Sequence, residues 1–208
     1  MEITNKNLEE MSFSARIKFA KETSDINLLF ELIKRKNPNI RVAVAKNLNA
    51  PPDILLILAK DDELAVKSAV AKNPKAPIDA LSILAKDESW EIRATVAKNP
   101  NTQSEILSAL AEDEDWLVKI AVAKNVNAPP NTLCNLANES YWRISEAVAR
   151  NPNAPHDVLV LLSKKDKCEI KLAVAENPST PADILLNLEK DSNSEVRLAA
   201  KENLRNKK

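Results

Sequence analysis

Residues 66–84 read VKSAVAKNPKAPIDALSIL, and this pattern returns along most of the 208-residue chain. Each copy has an asparagine at the same place, and successive asparagines are 26 residues apart, with no insertion or deletion across six periods. We call these positions the asparagine column: Asn47, Asn73, Asn99, Asn125, Asn151, Asn177 and Asn203. A fixed period of this length predicts a repeat protein in which every unit is one supersecondary element.

Each unit is predicted to contain two short helices. Pro74 ends one helix, because the residue before a proline is pushed out of the α region, and Pro77 suits the first turn of the next helix. Leu81 and Leu84 share one face of that first helix, and the second helix has apolar residues at i, i+3 and i+4. An aspartate between the two helices is the predicted N-cap of the second, as at Asp61, Asp87, Asp113 and Asp191.

A 26-residue helix pair cannot bury its apolar face alone, so neighbouring units must stack. The predicted fold is an all-α solenoid of stacked helix pairs, capped at both ends and forming one continuous domain. Residues 1–36 are predicted to be N-terminal capping helices, residues 37–203 tandem repeats and residues 204–208 a polar C-terminal tail. Polar caps favour a monomer over end-to-end polymers.

The composition argues against several classes of function. The 30 Lys and Arg balance the 30 Asp and Glu, which disfavours binding to nucleic acid or an anionic membrane through bulk charge. The chain has no glycine, so it has no glycine-rich phosphate loop or Rossmann fingerprint. One histidine and two cysteines are too few for a multi-ligand metal centre. We therefore expect no enzymatic activity, no bound metal and no cofactor.

The chain also lacks sequence signals for export or membrane insertion. Its first residues, MEITNKNLEEMSF, contain no apolar run of the kind found in secretory signals. No segment approaches the roughly 18 uninterrupted apolar residues of a transmembrane helix. We expect a cytoplasmic protein with reduced thiols and no membrane partner.

The motif VR/K-x-AVA-K-NPNAP-x-D-x-L-x-x-LAKD, seen at residues 40–61 and 144–162, resembles the leucine-rich repeat variant, a relative of HEAT and armadillo repeats. The resemblance covers residues 37–203. It implies a right-handed superhelix in which one helix of each pair can be a 3₁₀ helix, and it implies no shared enzymatic activity. One arrangement in that family carries an iron–sulfur cluster on a cysteine-rich N-terminal segment. This chain has no cysteine before Cys134, so we expect no cluster.

Two polar columns have competing interpretations. The asparagine column is either a polar binding stripe or a set of helix ends whose amides satisfy backbone groups of the turns. A basic column is either a phosphate-binding rail or a set of cations that complement the helix dipoles. Its members are Lys46, Lys72, Lys98, Lys124 and Arg150.

Three tryptophans, Trp90, Trp116 and Trp142, occupy one repeat position. At about 100° per residue, their side chains are predicted to point away from the core, beside Arg93 and Lys119. One interpretation is a binding groove, because aromatic residues with Arg or Lys are common hot spots and stacking platforms. The other is that each tryptophan fills a gap between consecutive helices. The sequence leaves both open.

One region breaks the repeat. Aromatic and basic residues replace the usual acidic helix start, and a basic loop one repeat later replaces the usual LAKD segment. These segments should be neighbours in space and form an aromatic–basic patch, the best candidate partner site; the alternative is a solvated loop that has drifted. Its residues are Tyr141, Trp142, Arg143, Lys164, Lys165 and Lys167.

The leading functional prediction is a non-enzymatic scaffold that binds a protein or peptide along an extended groove. It is motivated by a complete repeat array without a catalytic constellation. The alternative is a nucleic-acid-binding HEAT-like solenoid that uses the tryptophans and their basic neighbours. The zero net charge and the acidic helix starts count against this alternative.

Overall fold

The computed structural model describes residue 8 and residues 10–207 of the chain. Regular secondary structure in this part of the chain is entirely helical, as predicted. The chain divides into two compact units, one ending at residue 103 and the other beginning at residue 104. Most of residues 1–10 and the last residue of the predicted tail lie outside the described residues.

The first unit consists of short helices joined by tight turns. Within it, α1, α3, α5 and α7 pack in succession on one another, while α2, α4 and α6 pack against them and in succession on one another. The helices are α1 (Phe13–Glu22), α2 (Ile26–Ile33), α3 (Pro38–Ala45), α4 (Pro52–Leu58), α5 (Leu64–Lys72), α6 (Ile78–Leu84) and α7 (Trp90–Lys98).

The second unit repeats this plan. Its second helices α9, α11, α13 and α15 pack in succession, and the first helices of the pairs lie alongside. The helices are α8 (Ser104–Leu110), α9 (Trp116–Lys124), α10 (Pro130–Ala137), α11 (Trp142–Ala149), α12 (His156–Ser163), α13 (Cys168–Glu176), α14 (Ala182–Leu188) and α15 (Ser194–Asn206). The last helix therefore includes most of the predicted polar tail.

The predicted apolar columns form the core. Leu81 and Leu84 of α6 and Val70 of α5 are fully buried, and their counterparts in the other repeats are buried too. Burying one such side chain stabilises the fold by about 1.5–3 kcal/mol. Bonds of the 3₁₀ type occur at helix ends, as from the Ile54 N–H to the Pro51 carbonyl, but the described helices are α-helices.

The asparagine column lies in the interior and joins consecutive repeats, which supports its structural interpretation. Asn151 is 1% exposed, and its Nδ2 donates to the carbonyls of Ala123 (2.7 Å) and Asn125 (2.9 Å) in the preceding repeat. Its Oδ1 accepts the N–H of Asn153 at 2.8 Å and so shapes the turn. The side chain thus replaces glycine in building the turn, and no described residue has a positive φ.

The predicted N-cap role of the aspartates is wrong. The N-cap of α15 is Asn193, two residues after Asp191, and Asp191 instead accepts the Asn193 N–H at 2.9 Å. Its other oxygen pairs with Lys171 of the preceding repeat at 2.8 Å. The hydrogen bond from Lys171, aided by the Asn193 N–H, holds the pKa of Asp191 below its ordinary value. Asp61, Asp87 and Asp191 thus join their loops to the preceding repeats.

The same pairing recurs with a separation of 20 residues. We call it the ion-pair column. Its described members are Arg41 with Asp61, Lys67 with Asp87, Lys119 with Glu139 and Lys171 with Asp191.

Candidate partner-binding site

Trp116 and Trp142 begin successive second helices, α9 and α11, in the second unit. Trp116 is 41% exposed and Trp142 is half-buried. The apolar face of α9 that carries Val118 and Val122 is fully buried, so Trp116 stands apart from the core. Trp90 occupies the equivalent place in the first unit and is 38% exposed.

Aromatic rings and cations meet at the start of α11. The Trp116 ring meets the Tyr141 ring edge-on, with centroids 4.9 Å apart and planes at 65°. The Arg143 guanidinium and the Lys167 ammonium lie 5.4 Å and 5.6 Å from the centroid of Trp142. Such ring and cation contacts each contribute about 0.5–1 kcal/mol at exposed sites. This part of the predicted aromatic–basic patch is therefore a contiguous cluster.

A groove of about 420 Å³ runs beside these side chains along α9 and α11. We call it the tryptophan groove. Its apolar lining comes from Trp116, Leu117, Ile120, Trp142 and Ala147. Its charged lining comes from Lys124, Arg143, Glu146 and Arg150. The site therefore combines apolar surface with a positive balance of charge.

The charges in the tryptophan groove are unequally engaged. Arg150 pairs with Glu146 at 3.1 Å and with Glu176 at 2.7 Å. Lys124 and Arg143 form no ion pair with any carboxylate among the described residues. Two cations of the groove are thus available to an incoming anion.

The remaining predicted site residues lie elsewhere or serve the repeat. Arg93, in the first unit, donates to the carbonyls of Asp87 (2.8 Å) and Glu88 (3.0 Å). Lys119 is held by Glu139 within the ion-pair column. Lys164 is the exposed C-cap of α12, and Lys165 is half-buried. Of the predicted loop lysines in the described part of the chain, Lys167 is the one that lies over a tryptophan ring.

The repeat loses its usual stabilising groups at this place. Ser145 and Lys165 occupy the two positions of the ion-pair column, so no such pair can form there. Ser145 is buried instead, with its hydroxyl donating to the Ala137 carbonyl at 3.2 Å. The N-cap residues Tyr141 and Lys167 make no side-chain capping bond. Glu63, before α5, makes none either, whereas Ser89, Asp115 and Asn193 do so in other repeats. The aromatic cluster therefore lies where one ion pair of the column is missing.

The first unit has a larger groove of about 700 Å³, beside the start of α5. Leu64 stands in the tryptophan position there, and its exposed fraction is 55%. Two of the three aspartates that line this groove are already engaged, Asp61 with Arg41 and Asp87 with Lys67. It lacks the aromatic cluster of the tryptophan groove.

Both cysteines of the chain lie in the second unit. Cys134 is half-buried, and Cys168 is exposed, and both thiols are free. The hydrogen bond with Glu169 raises the pKa of the Cys168 thiol, which lowers its thiolate fraction. Over the described residues, no three His, Cys, Asp or Glu side chains cluster so that they could hold a metal. No helix in that part of the chain has the length and apolarity to cross a membrane.

Known proteins share this architecture. The chain is similar to a solved structure described as a leucine-rich repeat variant with a novel repetitive protein structural motif. The two share 26% sequence identity with a TM-score of 0.64, over 99% of this chain and 81% of the other. The family model for the leucine-rich repeat variant matches residues 90–115. The predicted resemblance to the leucine-rich repeat variant is confirmed. Among curated proteins, no sequence matches the chain.

The leucine-rich repeat variant match also bears on the site. The matched segment, residues 90–115, is one complete 26-residue period that begins at a tryptophan of the repeat position discussed above. Leu117 and Ile120, beyond that segment, line the tryptophan groove but were not among the predicted site residues. Lys124 lines it too and was predicted only as a member of the basic column. Ile120 and Lys124 follow Trp116 in steps of four along α9, and this spacing was the available signal, since residues four apart share a helix face. Leu117, directly after Trp116, had no such signal.

Proposed function

We propose that this chain is a non-enzymatic repeat scaffold that binds a protein or peptide through the tryptophan groove. The observation that carries the proposal is the cluster of Trp116, Tyr141 and Trp142 where the repeat lacks its ion pair and two side-chain caps. Replacing a good N-cap residue typically costs about 1 kcal/mol. The loss of the ion pair and of both caps at the place where the aromatic rings cluster supports a role for these side chains in binding.

The groove has the physical character of a peptide site. Tryptophan, tyrosine and arginine are the residues most enriched at binding hot spots, and the cluster contains all three. Trp116 stands at its centre because it both touches Tyr141 and lines the groove. The half-exposed rings can cover an apolar side chain of a bound peptide, and the charged groups beside them can contact the polar backbone of that peptide.

Nucleic acid is the second candidate, favoured by the cations beside Trp142. Both Arg143 and Lys167 already lie over that ring, so a stacking base would have to displace one of them. Glu146 within the groove would also repel a phosphate backbone. Titration with a single-stranded DNA oligonucleotide at increasing salt tests this candidate. A salt-sensitive affinity lost on Trp142→Ala would favour it over peptide binding.

The test of peptide binding is selection from a random displayed peptide library. Selected peptides should lose about 2 kcal/mol or more of binding free energy on Trp116→Ala, the hot-spot scale. Trp90→Ala is the matched control, because Trp90 has the same repeat position and similar exposure but lies outside the groove. Failure to select any peptide, or equal losses in the two variants, would refute the proposal.

A stability measurement separates binding from packing. Trp116→Ala should lower the free energy of unfolding by no more than about 1 kcal/mol, because the exposed side chain loses mainly its contact with Tyr141. A tryptophan that packs in the core would cost about 3–5 kcal/mol. A large drop in the urea midpoint would therefore favour the packing interpretation.

The proposal includes a monomer acting in the cytoplasm. The polar character of the predicted end caps and the composition support this view. Analytical ultracentrifugation tests the monomer, and microscopy of the tagged full chain in its own cells tests the location. A stable dimer or an extracytoplasmic location would contradict these parts without affecting the groove.

A further inference from the structure

The tryptophan groove has cations at both ends. Arg143 lies beside the aromatic cluster at the start of α11, and Lys124 ends α9. Both are exposed, and no described carboxylate pairs with either. Arg150 also lies at the Lys124 end, and Glu146 and Glu176 already engage it. The two available cations therefore stand at opposite ends of the groove, and the carboxylates at the Lys124 end are paired with Arg150.

The distance between the groove ends sets the spacing of a ligand. Trp116 and Lys124 are the first and last residues of α9. At 1.5 Å per residue, their backbones are about 12 Å apart along the helix axis. An extended peptide advances about 3.3 Å per residue, so about four residues cover this distance. An apolar side chain at the tryptophans would therefore place a residue about four positions away near Lys124.

We propose that the tryptophan groove binds an extended acidic peptide segment. An apolar side chain packs against Trp116 and Trp142, one carboxylate lies near Arg143, and a second lies near Lys124. This inference rests on the proposed function and names the chemical class of its partner. The positive balance of the groove favours such a segment, even though the whole chain has a net charge of zero.

A polyanion fits the groove less well than a peptide with two separated carboxylates. Glu146 lies between the two available cations along α11 and α9, where it disfavours a continuous run of negative charge. The apolar surface of Leu117 and Ile120 would stay uncovered under a phosphate backbone. The groove thus favours charge at its ends and an apolar contact between them.

The probes are synthetic hexapeptides, blocked at both ends, titrated against the full chain at low salt. The peptide ELSSSE places the leucine and the second glutamate at the required separation. The peptide ELESSS has the same composition but the wrong spacing, and QLSSSQ has the right spacing without charge. Binding is followed through the indole N–H signals of Trp116 and Trp142 in ¹H–¹⁵N spectra, with Trp90 as the internal reference.

We expect ELSSSE to shift both groove signals and to bind about fivefold more tightly than QLSSSQ or ELESSS, the scale of an exposed ion pair. Lys124→Glu should weaken ELSSSE by at least about fivefold and leave QLSSSQ unchanged. Lys72→Glu is the matched control, because Lys72 ends α5 at the same repeat position outside the groove.

The outcomes separate this inference from the proposed function. Equal affinities for the three peptides would overturn the preference for spaced acids while leaving peptide binding intact. Unchanged binding of ELSSSE to Lys124→Glu would also overturn it. If library-selected peptides bind the groove and ELSSSE does not, this inference alone fails. If none shifts the Trp116 or Trp142 signals, both proposals fail together.

Discussion

Replacing Asn151 by alanine tests how strongly the asparagine column joins the repeats. The buried side chain makes three hydrogen bonds: two donated to Ala123 and Asn125 and one accepted from the Asn153 N–H. Each such bond contributes about 1 kcal/mol net, and a backbone group left buried without a partner costs about 1–3 kcal/mol. We therefore expect Asn151→Ala to lower the free energy of unfolding by about 3–5 kcal/mol.

Aspartate at the same position separates donating from accepting bonds. Asn151→Asp can still accept the Asn153 N–H, but it turns an oxygen toward the carbonyls of Ala123 and Asn125. A buried carboxylate facing two carbonyl oxygens is repelled as well as unpaired. Asn151→Asp should therefore be at least as destabilising at neutral pH as Asn151→Ala.

The assay is urea unfolding followed by far-UV circular dichroism and tryptophan fluorescence together, because repeats can unfold in parts. The matched control is Asn153→Ala, which removes one exposed bond to the Val126 carbonyl and should cost less than about 1 kcal/mol. If Asn151→Ala costs no more than this control, the column does not couple the repeats in the way described.

The remaining predictions concern the break in the repeat and the ion-pair column. Lys167→Ser supplies an N-cap oxygen to α13, and Lys167→Ala loses the same contact with Trp142 without supplying one, so Lys167→Ser should have a free energy of unfolding about 1 kcal/mol above that of Lys167→Ala in urea melts; equal values would contradict the argument from missing caps. Ser145→Lys with Lys165→Asp should rebuild an ion pair, visible as a favourable coupling of about 0.5 kcal/mol in a double-mutant cycle, whereas zero coupling would show that the pair does not form. Because the pKa of Asp191 is lowered in the folded state, its contribution is present above the ordinary carboxyl pKa and is lost as pH falls below about 4 through the folded pKa. Asp191→Asn should reduce this acid-side loss of stability, and parallel urea midpoints for both proteins from about pH 6 to about pH 2.5 would contradict it.

The repetition made most of the fold predictable. The helix-ending role of Pro74 and the buried positions of Leu81 and Leu84 follow from local rules and from the spacing of apolar residues. The asparagine column could be read as structural because the same amide recurs at each turn. These features depend on the sequence of a single 26-residue repeat and on the presence of a neighbouring repeat.

Contacts between particular repeats were harder to predict. Asp191 looked like an N-cap because its nearest helix follows it in sequence, but its charge pairs with Lys171 of the repeat before. The tryptophan groove depends in the same way on which side chains of α9 face those of α11. The four-residue step from Trp116 places Ile120 on the same face of α9, but only the placement of the neighbouring helix makes that face one wall of a groove.

The geometry of the asparagine column has a consequence for how the number of repeats can change in evolution. Asn73, Asn99, Asn151, Asn177 and Asn203 each donate to one carbonyl 28 residues earlier and to another 26 residues earlier. Misaligned recombination between copies of the coding sequence would add or remove whole periods, and every remaining amide would again meet the carbonyls it needs. Gain or loss of any other length would leave an amide facing the wrong part of its neighbour. Tandem duplication can therefore lengthen such a protein in a single genetic event, and each new copy brings another helix start at which an aromatic side chain can later arise.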